Sequence, residues 1–251
     1  MIRKIIIITI FFFSSVTVLA VSEDALKAFI EANAAYSGTN YNKAIQLYKK
    51  AVGLKFNSGG IYYNLGNAYY REGKLGYAIA SYLKAQRLMP RNADIASNLK
   101  TARGQTENKI IPKEVNPALK QFLFFYFKFS LDELLWTSAF LFAGIFAALS
   151  IYAFVPAAML KKFIVFISII FLITAFSSAA KIYNFHANKI AVVIKEKAIV
   201  RAGPDTSYAS RIELHNGAEL KVLSTENEWI KIQVATEKGW IFGKDVKILH
   251  F

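Results

Sequence analysis

Two stretches of the chain carry no charge at all. They are residues 134–155, LLWTSAFLFAGIFAALSIYAFV, and residues 163–180, FIVFISIIFLITAFSSAA. Apolar runs of this length can cross a hydrocarbon core of about 30 Å as helices. They predict a transmembrane helical hairpin over residues 134–180, with Pro156 ending the first span and Lys161-Lys162 lying in the short connection. Gly144, Ala147, Ala148 and Ser178 are small enough to permit close contact between the two helices. A third apolar run, residues 5–13, follows Arg3 and Lys4 and precedes the small residues Val18 and Ala20. That pattern predicts a secretory signal over residues 1–21, either cleaved after Ala20 or kept as an anchor.

Between these apolar runs the spacing becomes helical and repeats itself. Shifting the chain by 34 residues lays Tyr41 on Leu75, Ala44 on Ala78, Tyr48 on Tyr82 and Ala51 on Ala85. A period of this length marks a helix–turn–helix unit that buries its apolar face by stacking on its neighbours. Alanine at 44, 51, 78 and 85 lets helices approach, and Tyr48 and Tyr82 fill the gap between them. Gly66 costs a helix about 1 kcal/mol against alanine, so its place inside an apolar run predicts a second helix passing close by. Gly73 suits the turn, and Pro90 stops the helix that follows it. Tyr62, Leu65, Gly66, Tyr69, Ala78, Tyr82, Ala85 and Pro90 resemble the signature of the tetratricopeptide repeat (TPR). Residues 59–92 form the full copy and 25–58 a weaker one, with Glu31 where Leu65 sits and Phe56 in place of the proline. Residues 92–103, NADIASNLKTAR, read as the first helix of an unfinished third copy that caps the stack. The predicted repeat domain is residues 22–105.

Residues 106–133 read as a linker and interfacial segment. Gly104, Pro112 and Pro117 stand among polar residues, and QFLFFYFKFS (121–130) then sets Lys128 among aromatic rings, a composition suited to the lipid–water boundary. Asp132-Glu133 suits a helix N-terminus, where carboxylates meet the positive end of the dipole. From residue 190 to 251 short β-branched runs alternate with turn signals, the pattern of a small all-β barrel. Val200, Arg201, Gly203, Pro204, Tyr208, Leu214, Gly217, Val222, Trp229, Gly239, Trp240 and Val246 resemble, in order, the bacterial SH3 domain. Ile199 stands where that family often has leucine, a swap within the core. The expected fold class is thus multidomain: all-α TPR-like repeats, a two-helix transmembrane hairpin and an all-β SH3-like barrel.

The net charge of +14 is uneven. Residues 22–105 hold twelve Lys/Arg against five Asp/Glu, whereas residues 191–251 hold nine against eight. The basic excess belongs to the repeats and the membrane flank, where it favours anionic headgroups or an acidic partner. Export places it away from nucleic acid, so no nucleic-acid partner is expected. The positive-inside rule puts Lys161-Lys162 in the cytoplasm, while Lys109, Lys113, Lys120, Lys128, Lys181 and Lys189 flank the spans on the opposite side. The signal acts first, and it assigns the repeats and the SH3-like domain to the outer side of the cytoplasmic membrane.

No chemistry emerges. The chain has no cysteine, and its three histidines, His186, His215 and His250, do not form a metal-ligand spacing. Neither span holds an ionisable residue, and RAGPDTSY is a turn rather than a phosphate loop. The expectation is a non-enzymatic protein without cofactor or metal. In the TPR family, peptides lie on the concave face made by the first helices of each pair. The matching positions are Asn33, Tyr36, Tyr63, Asn67, Tyr70 and Arg71. Asparagine could grip a peptide backbone as donor and acceptor at once, and tyrosine adds contact area; the alternative is that the tyrosines only pack between helices. In the β-domain, Tyr208, Trp229, Trp240 and Phe242 are candidates for a ligand cleft, against packing in the core or at a cleft edge. A peptide or a cell-wall glycan stem would fit such a cleft.

The whole order of signal, repeats, linker, hairpin and SH3-like domain resembles BatE-type proteins, named for the Bacteroides aerotolerance operon. That resemblance implies an envelope scaffold working with membrane-anchored von Willebrand factor A proteins and a MoxR-type ATPase, linked to stress tolerance. The alternative is a wall-associated module whose SH3-like barrel binds peptidoglycan or a wall peptide.

Overall fold

The computed structural model describes residues 21–107 and 115–249. The signal predicted for residues 1–21 lies, but for Val21, outside the described residues, as does His250.

Five helices build the repeat region: α1 (Glu23–Ser37), α2 (Tyr41–Gly53), α3 (Gly59–Arg71), α4 (Leu75–Leu88) and α5 (Ala93–Gly104). Their starts are written locally. Ser22, Asn40, Ser58 and Asn92 each accept a backbone N–H through the side chain at the helix N-cap, a contact worth about 1 kcal/mol. The α3–α4 turn passes through Gly73 at φ +74°, a left-handed geometry that favours glycine. Gly66 sits against the Tyr82 ring, which an added Cβ would meet at 2.6 Å. The close approach read from the sequence is therefore the approach of α4 to α3. The first copy keeps its stack despite its weak signature because α1 buries only alanines, Ala25, Ala28 and Ala32.

After the repeats come α6 (Pro117–Phe122) and α7 (Phe124–Lys128), then α8 (Leu131–Tyr152) and α9 (Ala158–Ala187). α8 and α9 are long and apolar enough to cross a membrane. They pack antiparallel, with the Ser138 hydroxyl donating to Thr174 Oγ1 at 2.9 Å. Glu133 closes a capping box with Ser130 at the start of α8, so the acidic pair does begin a helix. The connection is shorter than the sequence suggested. α8 ends at Tyr152, and Lys161-Lys162 lies inside the first turns of α9. Pro156 precedes the N-cap Ala157, outside the helix, where a proline interrupts no helical hydrogen bond.

Seven strands follow: β1 (Ile190–Val193), β2 (Lys197–Arg201), β3 (Ser210–His215), β4 (Glu219–Glu226), β5 (Trp229–Val234), β6 (Glu237–Phe242) and β7 (Val246–Ile248). They form one antiparallel sheet in the order β3-β2-β6-β5-β4-β1-β7. Alternate residues of the strands, among them Val200, Leu214, Leu220, Ile232 and Ile241, converge on one core. A sheet must curl to bring them together. Ile199 is not in that core; it faces outward and is 41% exposed. Strand alternation explains the difference, since the buried positions of β2 are Ala198 and Val200.

The β-domain is docked on the repeats rather than tethered beyond the hairpin. Val192 and Leu249 belong to the buried cluster of the repeat helices. The Asn216-Gly217 turn meets α4 and the end of α5. Gly76 N donates to Asn216 Oδ1 at 2.7 Å, and Gly217, at φ +93°, lies against Thr106 and Ile79. Arg103 donates from Nε and an Nη to both carboxylate oxygens of Glu219, at 2.6 and 2.8 Å. His215 Nε2 lies 3.2 Å from Glu107 and 3.4 Å from Glu213 in the same junction. A paired, partly buried carboxylate of this kind contributes more than a surface pair. Glu219→Gln should lower the thermal stability of the docked form by about 1–2 kcal/mol. Calorimetry of the detergent-solubilised chain checks this.

A repeat groove and an outward aromatic sheet face

The first helices of successive pairs, α1, α3 and α5, line the face opposite the packed second helices. The structure brings all six predicted groove residues to it. Tyr36, Tyr63, Asn67, Tyr70 and Arg71 line an open cavity of about 350 Å³, together with Tyr82, Asn98 and Thr101. Asn33 lines a second cavity of about 240 Å³, which shares Tyr36 and Asn67 with the first and adds Ser37, Tyr48 and Asn64.

The asparagines do two jobs here. The Tyr48 hydroxyl donates to Asn33 Oδ1 at 2.7 Å, and Asn64 Nδ2 donates to the same oxygen at 3.1 Å. One repeat further on, the Tyr82 hydroxyl donates to Asn67 Oδ1 at 2.8 Å and Asn98 Nδ2 at 2.9 Å. Two donors occupy each carbonyl oxygen, and a carbonyl has two lone pairs. The two-way grip expected of Asn33 and Asn67 is therefore not available. Only their amide N–H groups are left for a ligand. The network also explains how two buried phenols are tolerated, since each finds an acceptor.

Asn64, Asn98 and Thr101 were missed from the sequence, although the period marks them. Asn98 lies 34 residues after Asn64, and Thr101 lies 34 after Asn67. Gln105 donates to the Tyr70 hydroxyl at 2.6 Å, so the last turn of the cap reaches the groove rim. The Arg71 guanidinium is pushed up from its ordinary value, first by its hydrogen bond with the Tyr36 hydroxyl and then by electrostatic interaction with Tyr36. Arg71 stays a cation at the groove mouth over the whole accessible pH range.

Burial also raises the phenols behind the groove. Tyr48 and Tyr69 are pushed up to about 12, in both cases first by desolvation, and Tyr82 is raised beyond them for the same cause. A phenol in the unfolded chain ionises near pH 10 (about 10). The neutral hydroxyls thus favour the fold fully below that pH, and the contribution is lost as pH rises through the folded values. The repeats should lose helicity between about pH 10 and about 12, with tyrosinate absorbance rising in the same transition. A tyrosinate signal that rises while helicity is unchanged would contradict the burial argument.

On the β-domain, three of the four predicted cleft residues share one face. Trp229 pairs across from Phe242, and Trp240 from Lys231, on the side of β5 and β6 that points away from the core. The Trp229 and Phe242 rings meet edge to face at 5.5 Å. Lys231 Nζ lies 5.5 Å from the Trp240 ring centroid, and Lys244 Nζ 5.6 Å from that of Phe242. Arg201 pairs with Trp240 along β2–β6 and donates to the Tyr208 carbonyl at 2.8 Å. Tyr208 itself is 49% exposed and packs its ring against Gly203. None of the four is a core residue. The arrangement is a partly buried aromatic surface edged by cations, a form suited to stacking on apolar ring faces and to pairing with anions.

Known families match these two regions. The bacterial SH3 domain matches residues 196–247. The TPR repeat matches residues 32–73, and the tetratricopeptide repeat residues 60–92. The fold is therefore TPR-like helical repeats, two long apolar helices and an antiparallel sheet at the bacterial SH3 region. Over 82 residues the chain is 30% identical to the putative N-acetylmuramoyl-L-alanine amidase YrvJ of Bacillus subtilis (strain 168). That similarity takes in 32% of this chain and 15% of that protein. Among solved structures, the chain is similar to the Sgt2 TPR domain from Aspergillus fumigatus, with 28% identity over 35% of this chain and 58% of that one and a TM-score of 0.32. It is also similar to the Arabidopsis OM64 TPR domain, with 26% identity over 34% and 71% of the two chains and a TM-score of 0.33.

Proposed function

We propose that the chain is a non-enzymatic, membrane-anchored scaffold that captures an extended segment of a protein partner in the repeat groove. The observation that carries this reading is the open cavity, with Arg71 at its mouth and asparagine amide donors within. An extended peptide offers backbone carbonyls to those donors and side chains to the tyrosine surfaces. The hairpin anchors the scaffold in the cytoplasmic membrane, with the repeats and the SH3-like domain on the outer side. By its resemblance to BatE-type proteins, its partners are von Willebrand factor A proteins in an assembly served by a MoxR-type ATPase and linked to stress tolerance.

Cross-linking in intact cells, followed by purification in gentle detergent and mass spectrometry, tests the groove. Tyr70→Ala with Arg71→Ala should remove the captured partner while the chain stays folded, because neither side chain supports a buried phenol. A partner retained by this double variant refutes the groove reading. Loss of membrane proteins with a von Willebrand factor A domain supports the Bat-type assembly. Protease added outside spheroplasts should cleave within residues 22–120; protection there refutes the outward orientation.

The outward aromatic face favours a second reading, in which the SH3-like domain holds a cell-wall ligand. The partial similarity to a putative N-acetylmuramoyl-L-alanine amidase agrees with this. The solubilised chain should then sediment with purified sacculi, and Trp240→Ala should abolish it. No sedimentation of the parent chain refutes this reading and leaves the scaffold unaffected.

A further inference from the structure

Neither the groove nor the sheet face uses a group of cations gathered where the end of α4 meets the start of α8 and the tail of α9. Lys181 is only 8% exposed. Its ammonium lies 4.9 Å from the Tyr126 ring centroid, and among the described residues it makes no ion pair. Arg87, from α4, lies with its guanidinium 4.5 Å from the Phe185 ring centroid. Lys181 and Phe185 are one helical turn apart on α9, so Arg87 stands on the same face of that helix as Lys181. Arg91 stands over the Phe129 ring at 4.8 Å and donates to the Lys128 carbonyl and to Glu133 Oε1.

Glu133 is the carboxylate in this group, and it is already engaged. Its Oε1 accepts from Arg91 at 2.5 Å and its Oε2 from Ser130 N at 2.7 Å. Among the described residues, Arg91 takes this carboxylate, and Lys181, with Arg87 over the ring one turn away, makes no ion pair with it. Burial pushes the Arg87 guanidinium down to about 10, against a raising influence of Tyr126. A buried ammonium such as that of Lys181 is costly, and an anion brought beside it offsets that cost.

The position of the cluster says which anion is at hand. Lys161 and Lys181 are twenty residues apart on one helix. That is about 30 Å of helix, the thickness of a hydrocarbon core. The Ser138–Thr174 contact sets Glu133 and Lys181 at the same level of the antiparallel pair. The cluster therefore lies at headgroup depth on the side of the repeats. Exposed aromatics mark the same level, with Phe122 85% exposed and Tyr183 also open to its surroundings.

We propose that Lys181, Arg87 and Arg91 form a binding site for the phosphate of an anionic phospholipid headgroup. The Tyr126 hydroxyl accepts from Asn184 at 2.8 Å and keeps its own proton to donate beside it. A lipid bound there ties α4 to the hairpin and fixes the groove relative to the bilayer. The proposal rests on the hairpin spanning a membrane, and its test separates the two.

The full chain is reconstituted in vesicles of brominated phosphatidylglycerol or brominated phosphatidylcholine. Quenching of Trp136, one helical turn into α8, gives the preference for the anionic lipid. Each cation near a headgroup is worth about fivefold in affinity. Lys181→Gln and, independently, the half-exposed Arg91→Gln should each reduce the preference by about that factor, whereas Lys100→Gln on α5 should not. Equal quenching by the two lipids, or an unchanged preference in both cluster variants, overturns the site. Relief of quenching by inorganic phosphate at constant ionic strength would assign a soluble phosphate instead and also overturns it. Resistance to alkaline carbonate extraction is read on the same vesicles. A chain that is extracted refutes the membrane reading, while a retained chain without lipid preference refutes only the headgroup site.

Discussion

Replacing Gly76 by alanine should release the SH3-like domain from the repeats and leave both folded. An added Cβ would stand 2.1 Å from the Val193 carbonyl oxygen and 2.5 Å from Asn216 Oδ1. The first of these is backbone within β1, fixed by pairing with β4 and β7, so it cannot yield as a side-chain end could. Overpacking of this kind costs about 1–3 kcal/mol. The separation also breaks the Gly76–Asn216 hydrogen bond, which leaves a turn acceptor to find water. Within α4 itself the change works in the opposite direction, because alanine is the better helix former by about 1 kcal/mol. The repeat helices should therefore keep their stability while the interface is lost. Amide hydrogen exchange reads this directly. Protection should fall at the residue-76 amide, whose N–H donates to Asn216 Oδ1 across the junction, and persist along Ala78–Leu88 and Ile190–Val193. Gly104→Ala serves as a control, since nothing lies within 4 Å of a Cβ there. Unchanged protection of the residue-76 amide in Gly76→Ala would show that the docking tolerates a methyl group and that the contact is not tight.

This junction was invisible in the sequence, and the reason is physical. Gly66 announced itself because the residue it accommodates, Tyr82, recurs as Tyr48 one period earlier. Gly76 has no such echo; the previous copy has Asn42 in its place, which instead bonds Glu72 at 2.5 Å. Its partner Asn216 lies 140 residues away in another domain. Local periodicity reports contacts that repeat, not a single contact between two folds. The same limit applies to Lys181. Read along the chain it is one of several flanking lysines; only tertiary packing places it beneath Tyr126 and beside Arg87. The aromatic face of the β-domain was legible as a set of residues but not as a surface. Trp229 and Trp240 alternate with buried neighbours on β5 and β6, and the phase of that alternation, not the residue type, decides which side faces out. Ile199 follows the same phase, which is why a residue read as core is exposed.

Asn67→Ala should destabilise the repeats by about 1–3 kcal/mol, the cost of leaving a buried hydroxyl without its acceptor. The Tyr82 hydroxyl and Asn98 Nδ2 both donate to Asn67 Oδ1, and Tyr82 is fully buried. Tyr82→Phe removes the donor together with its need and should cost about 1 kcal/mol or less. The double variant should then cost less than the two single changes added together, because once the hydroxyl is gone the loss of its acceptor matters only to Asn98. A coupling of about 0.5–3 kcal/mol is the range for residues in one network. Urea unfolding followed by helical circular dichroism measures all three. The Asn33–Tyr48 pair, one repeat earlier, should behave in the same way, since its bonds correspond one for one. Additive costs at both pairs would show that the asparagines do not support the phenols and are free to serve a ligand with donor and acceptor alike. Coupled costs mean that partner capture lost in an Asn67 variant cannot be separated from a weakened fold, whereas loss at Tyr70 and Arg71 can. In the proposed function, selection of a partner then falls to the rim of the groove, while its asparagine floor holds the helices at the spacing the rim requires.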